Sequence, residues 1–212
     1  MKNNTVFVLL AGGKSERMGI AKGLLKYNDS FWILEQLHRI SKTTISKVYI
    51  GLGFNFEDYF KAIPWLEKAV TNFVNYKNLQ IKVCVNSSPE FGTFSTLQTV
   101  LKQLNKASNI LLNHIDIPIL NSIELTKILE TENTVVIPSF NTKKGHPVKL
   151  SAEFCQSLKT IPVKNENARL DFQIKKLSSA NISIIEVNDS VILYNLNTQK
   201  EWISFLENAK FN

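Results

Sequence analysis

Gly12 and Gly13 stand directly behind an apolar run, residues 5–11 (TVFVLLA), and Ser15, Arg17 and Lys22 follow within the next nine positions. A glycine pair after a buried strand lets the backbone turn sharply and leaves its N–H groups unobstructed, a nest suited to anionic oxygens. Arg17 can offer a planar fork to phosphate and Lys22 a point charge. The chemistry these residues suit is the binding of a nucleotide's phosphates. Two familiar phosphate loops do not match. Gly13-Lys14-Ser15 is like the end of a Walker A loop, but that loop needs a glycine at position 8, where Val8 stands. The dinucleotide fingerprint requires a glycine spacing that Gly12-Gly13 lacks. On the residues alone, a plain turn with Arg17 and Lys22 on a solvated face accounts for the loop equally well.

Asp116 is the second chemical candidate. It follows the apolar run 110–115 and precedes Pro118. Opposite a triphosphate loop it would be a sensible Mg²⁺ ligand, since Mg²⁺ favours one or two carboxylates plus phosphate oxygens. A strand-end aspartate is also a common cap or turn residue. His114, two residues earlier, would share its face in an extended strand and reads as packed or hydrogen-bonded. His38 lies in a helical pattern, whereas His146 sits between Gly145 and Pro147, whose constrained backbone leaves it open to a functional role. Histidines this scattered do not make a zinc cluster. Cys84 and Cys155 stand alone in apolar surroundings and read as buried thiols in a reducing compartment.

The elements that must position these residues alternate. Strands are expected at 5–11, 47–50, 80–85, 110–115, 134–137, 182–187 and 191–194, and helices at 31–40, 95–104, 123–129, 152–158, 168–177 and 199–209. Residues 54–70 read as helix broken at Pro64. Such alternation predicts an α/β domain with a mostly parallel sheet covered on both faces. The turn-rich spacer 188–190 predicts an antiparallel pairing of the last two strands, hence a mixed sheet. Ligands of such sheets lie beyond the carboxyl ends of the strands, which puts the Gly12 loop and Asp116 in one site.

At 212 residues, 44% of them hydrophobic, and with no repeat or long linker, the chain is expected to be a single domain over 1–212. No run approaches the roughly 18 to 20 apolar residues of a membrane span. Residues 1–5 read as a mature cytosolic N-terminus, so a cytoplasmic protein without membrane partners is expected. The +7 charge is scattered; its densest runs, Lys143-Lys144 and Lys175-Lys176, are only pairs. With no zinc-finger, helix-turn-helix or arginine-rich signal, the charge suits polyphosphate as well as it suits nucleic acid, and no nucleic-acid partner is expected. The oligomeric state is not readable from these patterns.

Taken together, Leu10, Ala11, Gly12, Gly13, Ser15, Arg17, Met18, Gly19 and Lys22 resemble the signature LAGGxSxRMGxxK of the MobA-like nucleotidyltransferases. That family includes the molybdenum cofactor guanylyl- and cytidylyltransferases. The resemblance implies a three-layer, Rossmann-like nucleotidyltransferase (nucleotide-diphospho-sugar transferase) fold with a mostly parallel, mixed sheet. It implies that Leu10, Ala11, Gly12, Gly13 and Ser15 contact a nucleoside triphosphate and that Arg17 and Lys22 bind its phosphates. Asp116 matches the family's Asp-x-Pro segment, whose aspartate holds the metal. The stretch 86–97, with Asn86, Gly92, Thr93 and Ser95, is similar to a family stretch entering a helix, so Asn86, Thr93 and Ser95 are implied near the nucleotide; Ser95 is also a plausible helix N-cap. Gly145-His146-Pro147-Val148 is similar to the GHPV element of the cytidylyltransferase branch and places His146 near the acceptor side.

Two departures stand out. Where that branch usually has Gly-Asp-x-Gly-Ala-Arg, only Ala168-Arg169 align cleanly, and the closing Asp-Ile-Asp-Thr-Pro-Glu-Asp reads Asn195-Leu196-Asn197-Thr198-Gln199-Lys200-Glu201. An amide oxygen can still coordinate a hard cation, so Asn195 or Asn197 could serve beside Asp116. The activity so implied is Mg²⁺-dependent transfer of a nucleotidyl group to a phosphorylated small molecule, with Arg17, Lys22 and Asp116 as the catalytic residues and Asp116 with Asn195 as the metal ligands. CTP is favoured by the GHPV element and GTP by the Leu-Ala-Gly-Gly start, and the acceptor first indicated is molybdopterin, a pterin. The alternatives are a sugar- or polyol-phosphate cytidylyltransferase and a non-catalytic nucleotide-binding accessory protein.

Overall fold

In the computed structural model, residues 5–104 and 108–209 are described. Every residue of strand β1 (Thr5–Ala11) is buried. Its side chains divide by the two-residue period of a strand. Phe7, Leu9 and Ala11 enter one core, and Val6, Val8 and Leu10 enter another on the opposite face. A strand so placed must be central, and β1 pairs in parallel with β4 (Lys47–Leu52) on one side and β7 (Asn109–His114) on the other. Outside β4 lies β6 (Leu79–Val85), parallel, and then β5 (Val74–Tyr76), antiparallel, at the edge.

Beyond β7 the sheet reverses direction for one strand. β10 (Val148–Leu150) runs antiparallel to both β7 and β8 (Val135–Phe140), and β11 (Ile182–Glu186) is parallel to β8. β9 (Lys143–Lys144) folds back on β8, and β2 (Lys26–Tyr27) pairs with β3 (Ser30–Phe31) apart from the main sheet. The resulting order is β11-β8-β10-β7-β1-β4-β6-β5. The layer on the Phe7 face holds α1 (Trp32–Ser41), α2 (Phe56–Ala62), α3 (Trp65–Thr71), α5 (Ser122–Glu130) and α8 (Gln199–Ala209). The layer on the Val8 face holds α4 (Thr93–Gln103), α6 (Ala152–Lys159) and α7 (Leu170–Lys175). This is the three-layer α/β arrangement with a mostly parallel, mixed sheet, and Pro64 divides α2 from α3 as its missing N–H requires.

One expected strand is absent. Residues 191–194 do not pair with β11; Ser190–Leu193 form a 3₁₀ turn. The Asp189 carboxylate accepts the Val191 N–H at 3.0 Å, and such a local side-chain bond competes with strand pairing. Val191 and Ile192 are both buried, so consecutive side chains enter the core instead of alternating. The mixed character of the sheet comes instead from β5, β9 and β10, short strands that the sequence reading passed over. Cys84 and Cys155 are buried and free, and burial pushes both thiols up to about 12. Among the described residues no helix is long and apolar enough to cross a membrane.

Candidate functional site

Because β1, β4, β6 and β7 are mutually parallel, their carboxyl ends share one edge of the sheet. Gly12, Gly53, Asn86 and the segment 114–116 gather there. A cleft of about 620 Å³ opens at this edge, and Gly12, Gly13, Ser15, Arg17, Lys22 and Asp116 all line it. Leu10 and Ala11 form its floor at the end of β1. Gly13 is exposed, and beyond its chain neighbours no protein atom comes within 4 Å of where a Cβ would stand. The loop is tied from within. Ser15, at a left-handed φ of 56°, accepts the Met18 N–H through its carbonyl at 2.9 Å and the Lys22 N–H through its hydroxyl at 3.3 Å.

Lys22 then enters a 3₁₀ turn (Lys22–Leu24) whose Gly23 N–H is held by the buried Tyr59 hydroxyl at 3.1 Å. Its ammonium donates to Asp116 Oδ2 at 2.7 Å and to Asn197 Oδ1 at 2.6 Å. The Asp116 segment is fixed by groups the sequence reading did not single out. Trp32 Nε1 donates to the Ile115 carbonyl at 2.7 Å; Gln36 donates to the Ile117 carbonyl at 2.8 Å and accepts the Ile119 N–H at 3.1 Å; Asn113 also donates to the Ile117 carbonyl at 2.8 Å. Trp32, Gln36 and Asn113 are fully buried, so the carboxylate is presented from a rigid base. Polar residues inside otherwise apolar helical and strand patterns were the available signal.

The closing segment reaches the same point. The Leu196 N–H donates to Asp116's own carbonyl at 2.9 Å, which lays Asn197 beside the carboxylate. Glu201, near the start of α8, accepts from the Asn197 N–H, the Thr198 N–H and the Thr198 hydroxyl. Those bonds, with Arg17 close by, hold its carboxyl below the usual range. Asn195 is exposed, turns its amide towards the Leu193 carbonyl at 3.4 Å and lies outside the cleft, on a separate hollow that shares Asp116 and His114. Of the two amides, Asn197 is the one that meets Lys22 and Asp116 together.

Other expected contacts lie one layer back. Asn86 and Ser95 are buried and do not line the cleft. Asn86 Nδ2 donates to the hydroxyls of Ser95 and Thr96 at 2.8 and 3.0 Å. α4 begins at Thr93 with Gly92 in the N-cap position, so Ser95 is not the cap; its hydroxyl donates back to the Gly92 carbonyl at 2.7 Å. Asn86 and Ser95 therefore brace the helix start while Thr93 and Thr96 face the cleft. His146 faces a neighbouring hollow of about 460 Å³ that shares Leu10, Thr93 and His114 with the cleft. It comes there because β10 is antiparallel, which brings its first residues to the edge where β7 ends. The His114 and His146 rings meet edge to face at 4.8 Å. Burial lowers His114, and burial with the neighbouring His114 pushes His146 down to about 4, so both rings are neutral near pH 7. His146 Nδ1 is buried without a hydrogen-bond partner.

The two loops at the cleft touch backbone to backbone. A Cβ on Gly53 would stand 2.6 Å from the Gly12 carbonyl oxygen, so any side chain there must push the Gly12 loop outward. Gly53→Ala is expected to cost about 1–3 kcal/mol of stability and to weaken triphosphate binding about tenfold. Thermal melts and nucleotide titration read the two effects; unchanged values in both would mean that the loop does not depend on this approach.

Among the described residues no group of three or more His, Cys, Asp or Glu side chains could hold a metal ion. What the cleft does hold is a cation, the Lys22 ammonium, at the meeting point of one carboxylate and one amide oxygen. Both are hard oxygens, the donor type that Mg²⁺ takes.

No curated protein matches the chain in sequence. Several solved structures share its fold. A nucleotidyl transferase from Methanothermobacter thermautotroptrophicus superposes with a TM-score of 0.75 at 16% identity over 99% of this chain and 100% of that one. Rv0371c from Mycobacterium tuberculosis, in complex with manganese, gives 0.70 at 16% over 96% and 98%. The CTP:phosphocholine cytidylyltransferase of Streptococcus pneumoniae gives 0.67 at 14% over 97% and 99%. At such identities these likenesses speak for the fold. Membership is carried by the sequence pattern itself, because the MobA-like NTP transferase domain matches residues 7–178, from within β1 through the glycine loop, Asp116 and α7. The chain belongs to the MobA-like NTP transferase family.

Proposed function

We propose that the chain transfers a nucleotidyl group from a nucleoside triphosphate to a phosphorylated small molecule. The observation that carries this reading is the convergence of the open Gly12-Gly13 turn with the Lys22–Asp116 pair in one cleft at the carboxyl edge of the sheet. In the reaction, an acceptor phosphate oxygen forms a bond to the α-phosphorus, the bond from that phosphorus to the β-phosphate oxygen breaks, and pyrophosphate leaves. The acceptor phosphate is already anionic near neutral pH, so no side chain need act as a general base. Arg17 and Lys22 neutralise the charge that gathers on the leaving oxygens, and the N–H groups of the Gly12 loop orient them. Asp116 with the Asn197 amide oxygen would hold magnesium, which would supply further charge neutralisation at the phosphates.

CTP is the favoured donor, on the likeness of Gly145-His146-Pro147-Val148 to the cytidylyltransferase element, and GTP is the other candidate. The acceptor is assigned to the hollow beside the cleft. Its walls, among them Phe94, Leu112, Val148 and Ile174, are apolar, with Arg169 and Asp171 also lining it. Apolar walls suit a heterocycle such as a pterin, and with the family resemblance molybdopterin is preferred.

Calorimetric titration of CTP and GTP, with and without Mg²⁺, tests the reading in wild type and Asp116→Ala. Metal-dependent binding of one nucleotide is expected, weakened about tenfold or more by the substitution, with pyrophosphate released once a pterin phosphate is added. Binding of neither nucleotide would overturn the reading. Binding without pyrophosphate release from any phosphorylated acceptor would favour a non-catalytic nucleotide binder, which the amide at Asn197 makes the second candidate.

A further inference from the structure

Lys22 does more in this structure than wait for a phosphate. Its ammonium fills the place between Asp116 Oδ2 and Asn197 Oδ1, at 2.7 and 2.6 Å, with the Lys22 and Asp116 side chains only 14% and 22% exposed. Neither partner is a loose neighbour. Asn197 is laid there by the Leu196 N–H on Asp116's carbonyl, and the segment behind it is held by Glu201 and by Trp202 and Phe205, which pack on the Trp32 ring at 5.3 Å. Because an ammonium has only donors, the Asn197 oxygen must face it.

We infer that Lys22 and Asn197 close this position against a free divalent cation, so that metal enters only together with a triphosphate. The inference rests on the nucleotidyl-transfer reading of the cleft. With asparagine at 197, the position holds one negative charge against one positive, and there is no net charge to draw a metal in. A free divalent ion would have to displace an ammonium held by two short bonds and then remain beside it. A triphosphate reverses both terms. Its oxygens give Lys22 other partners and supply the ligands that one carboxylate and one amide lack. An aspartate at 197 would leave the position net negative even with Lys22 present, and metal could then load first. Asn197 thus sets the order of binding, and the amide is a specificity device.

Mn²⁺ binding, read as loss of the free-ion electron paramagnetic resonance signal beyond the loss that the analogue alone produces, tests this with no nucleotide and with the α,β-methylene analogues of CTP and GTP. In wild type the ion is expected to bind at least about thirtyfold more weakly without analogue than with the preferred one. Asn197→Asp should gain at least about tenfold in nucleotide-free Mn²⁺ affinity, and Lys22→Met, which vacates the position, should move the same way. Melting curves of both variants establish that they are folded, and either one suffices for the test. Wild type that takes up Mn²⁺ equally with and without analogue overturns the gate and leaves the transfer reading intact, as does a folded pair of variants with no gain. Wild type that retains neither analogue with metal overturns the transfer reading and the gate with it.

Discussion

Asp116→Asn is expected to lower kcat/KM for nucleotidyl transfer by about 10²–10³-fold while leaving the melting temperature within a few degrees of wild type. The substitution keeps the size of the side chain and an oxygen that can still accept from Lys22, and it removes only the charge. The segment's position is set by backbone groups, the carbonyls of Ile115 and Ile117 held by Trp32, Gln36 and Asn113, and these bonds survive the change. Loss of the charge is expected to cost about 1–2 kcal/mol, because the Lys22 ammonium keeps a neutral oxygen at 116 and the Asn197 oxygen as acceptors. On the proposed function the large effect belongs to the bound state, in which Asp116 would supply the carboxylate charge beside the cation. Steady-state rates with the preferred nucleotide and saturating Mg²⁺ decide it. A variant within threefold of wild type would remove Asp116 from the chemistry.

The second large effect is on stability, at a residue with no part in the proposed reaction. Lys149 lies in β10, the strand that reverses the sheet, and only 1% of it is exposed. Its ammonium donates to the Leu129 carbonyl at 2.8 Å and the Thr131 carbonyl at 2.7 Å, with Glu132 at 3.5 Å. These are the last carbonyls of α5, which has its C-cap at Thr131, so a buried cation stands at the negative end of that helix. Lys149→Met keeps much of the volume and removes the donors. The substitution removes two hydrogen bonds from a buried ammonium, and hydrogen bonds to a charged group are worth about 1.5–3 kcal/mol each, so a loss of about 2–4 kcal/mol is expected. Urea unfolding reads it directly, and a loss under about 1 kcal/mol would show that α5 closes without this residue.

Much of this protein was legible from short stretches of chain, because the relevant physics acts within a few residues. The unbroken apolar run 5–11 could belong only to a strand covered on both faces, and β1 is central. Pro64 had to break its helix, and isolated cysteines in apolar surroundings were going to be buried. The glycine pair, Arg17, Lys22 and Asp116 could be assigned to one edge before any coordinates, since parallel strands present their ends together. The same local logic failed where a side chain had a choice of partners. The apolar residues 191–194 read as a strand, yet Asp189 bonds its own backbone and turns them into a 3₁₀ segment.

Tertiary structure decided which groups actually meet. Lys22 contacts Asp116 across 94 positions and Asn197 across 175, and nothing in the periodicity of either segment encodes that distance. Asn195 and Asn197 are equivalent as residues in a sequence. The Leu196 bond to Asp116 and the anchoring of α8 on Trp32 turn one outward and the other onto the lysine. Asn86 and Ser95 could be placed near the nucleotide by pattern, but their hydroxyl and amide groups are consumed by the start of α4. His146 reaches the site only because a three-residue strand runs against its neighbours. The sequence by itself thus determined most of the elements and the meeting of the glycine loop and Asp116 at one sheet edge, through local propensity and strand-end geometry. The identity of the second oxygen on the cation position, and the lysine that occupies it, came from long-range packing and hydrogen bonds that exist only once the chain is folded.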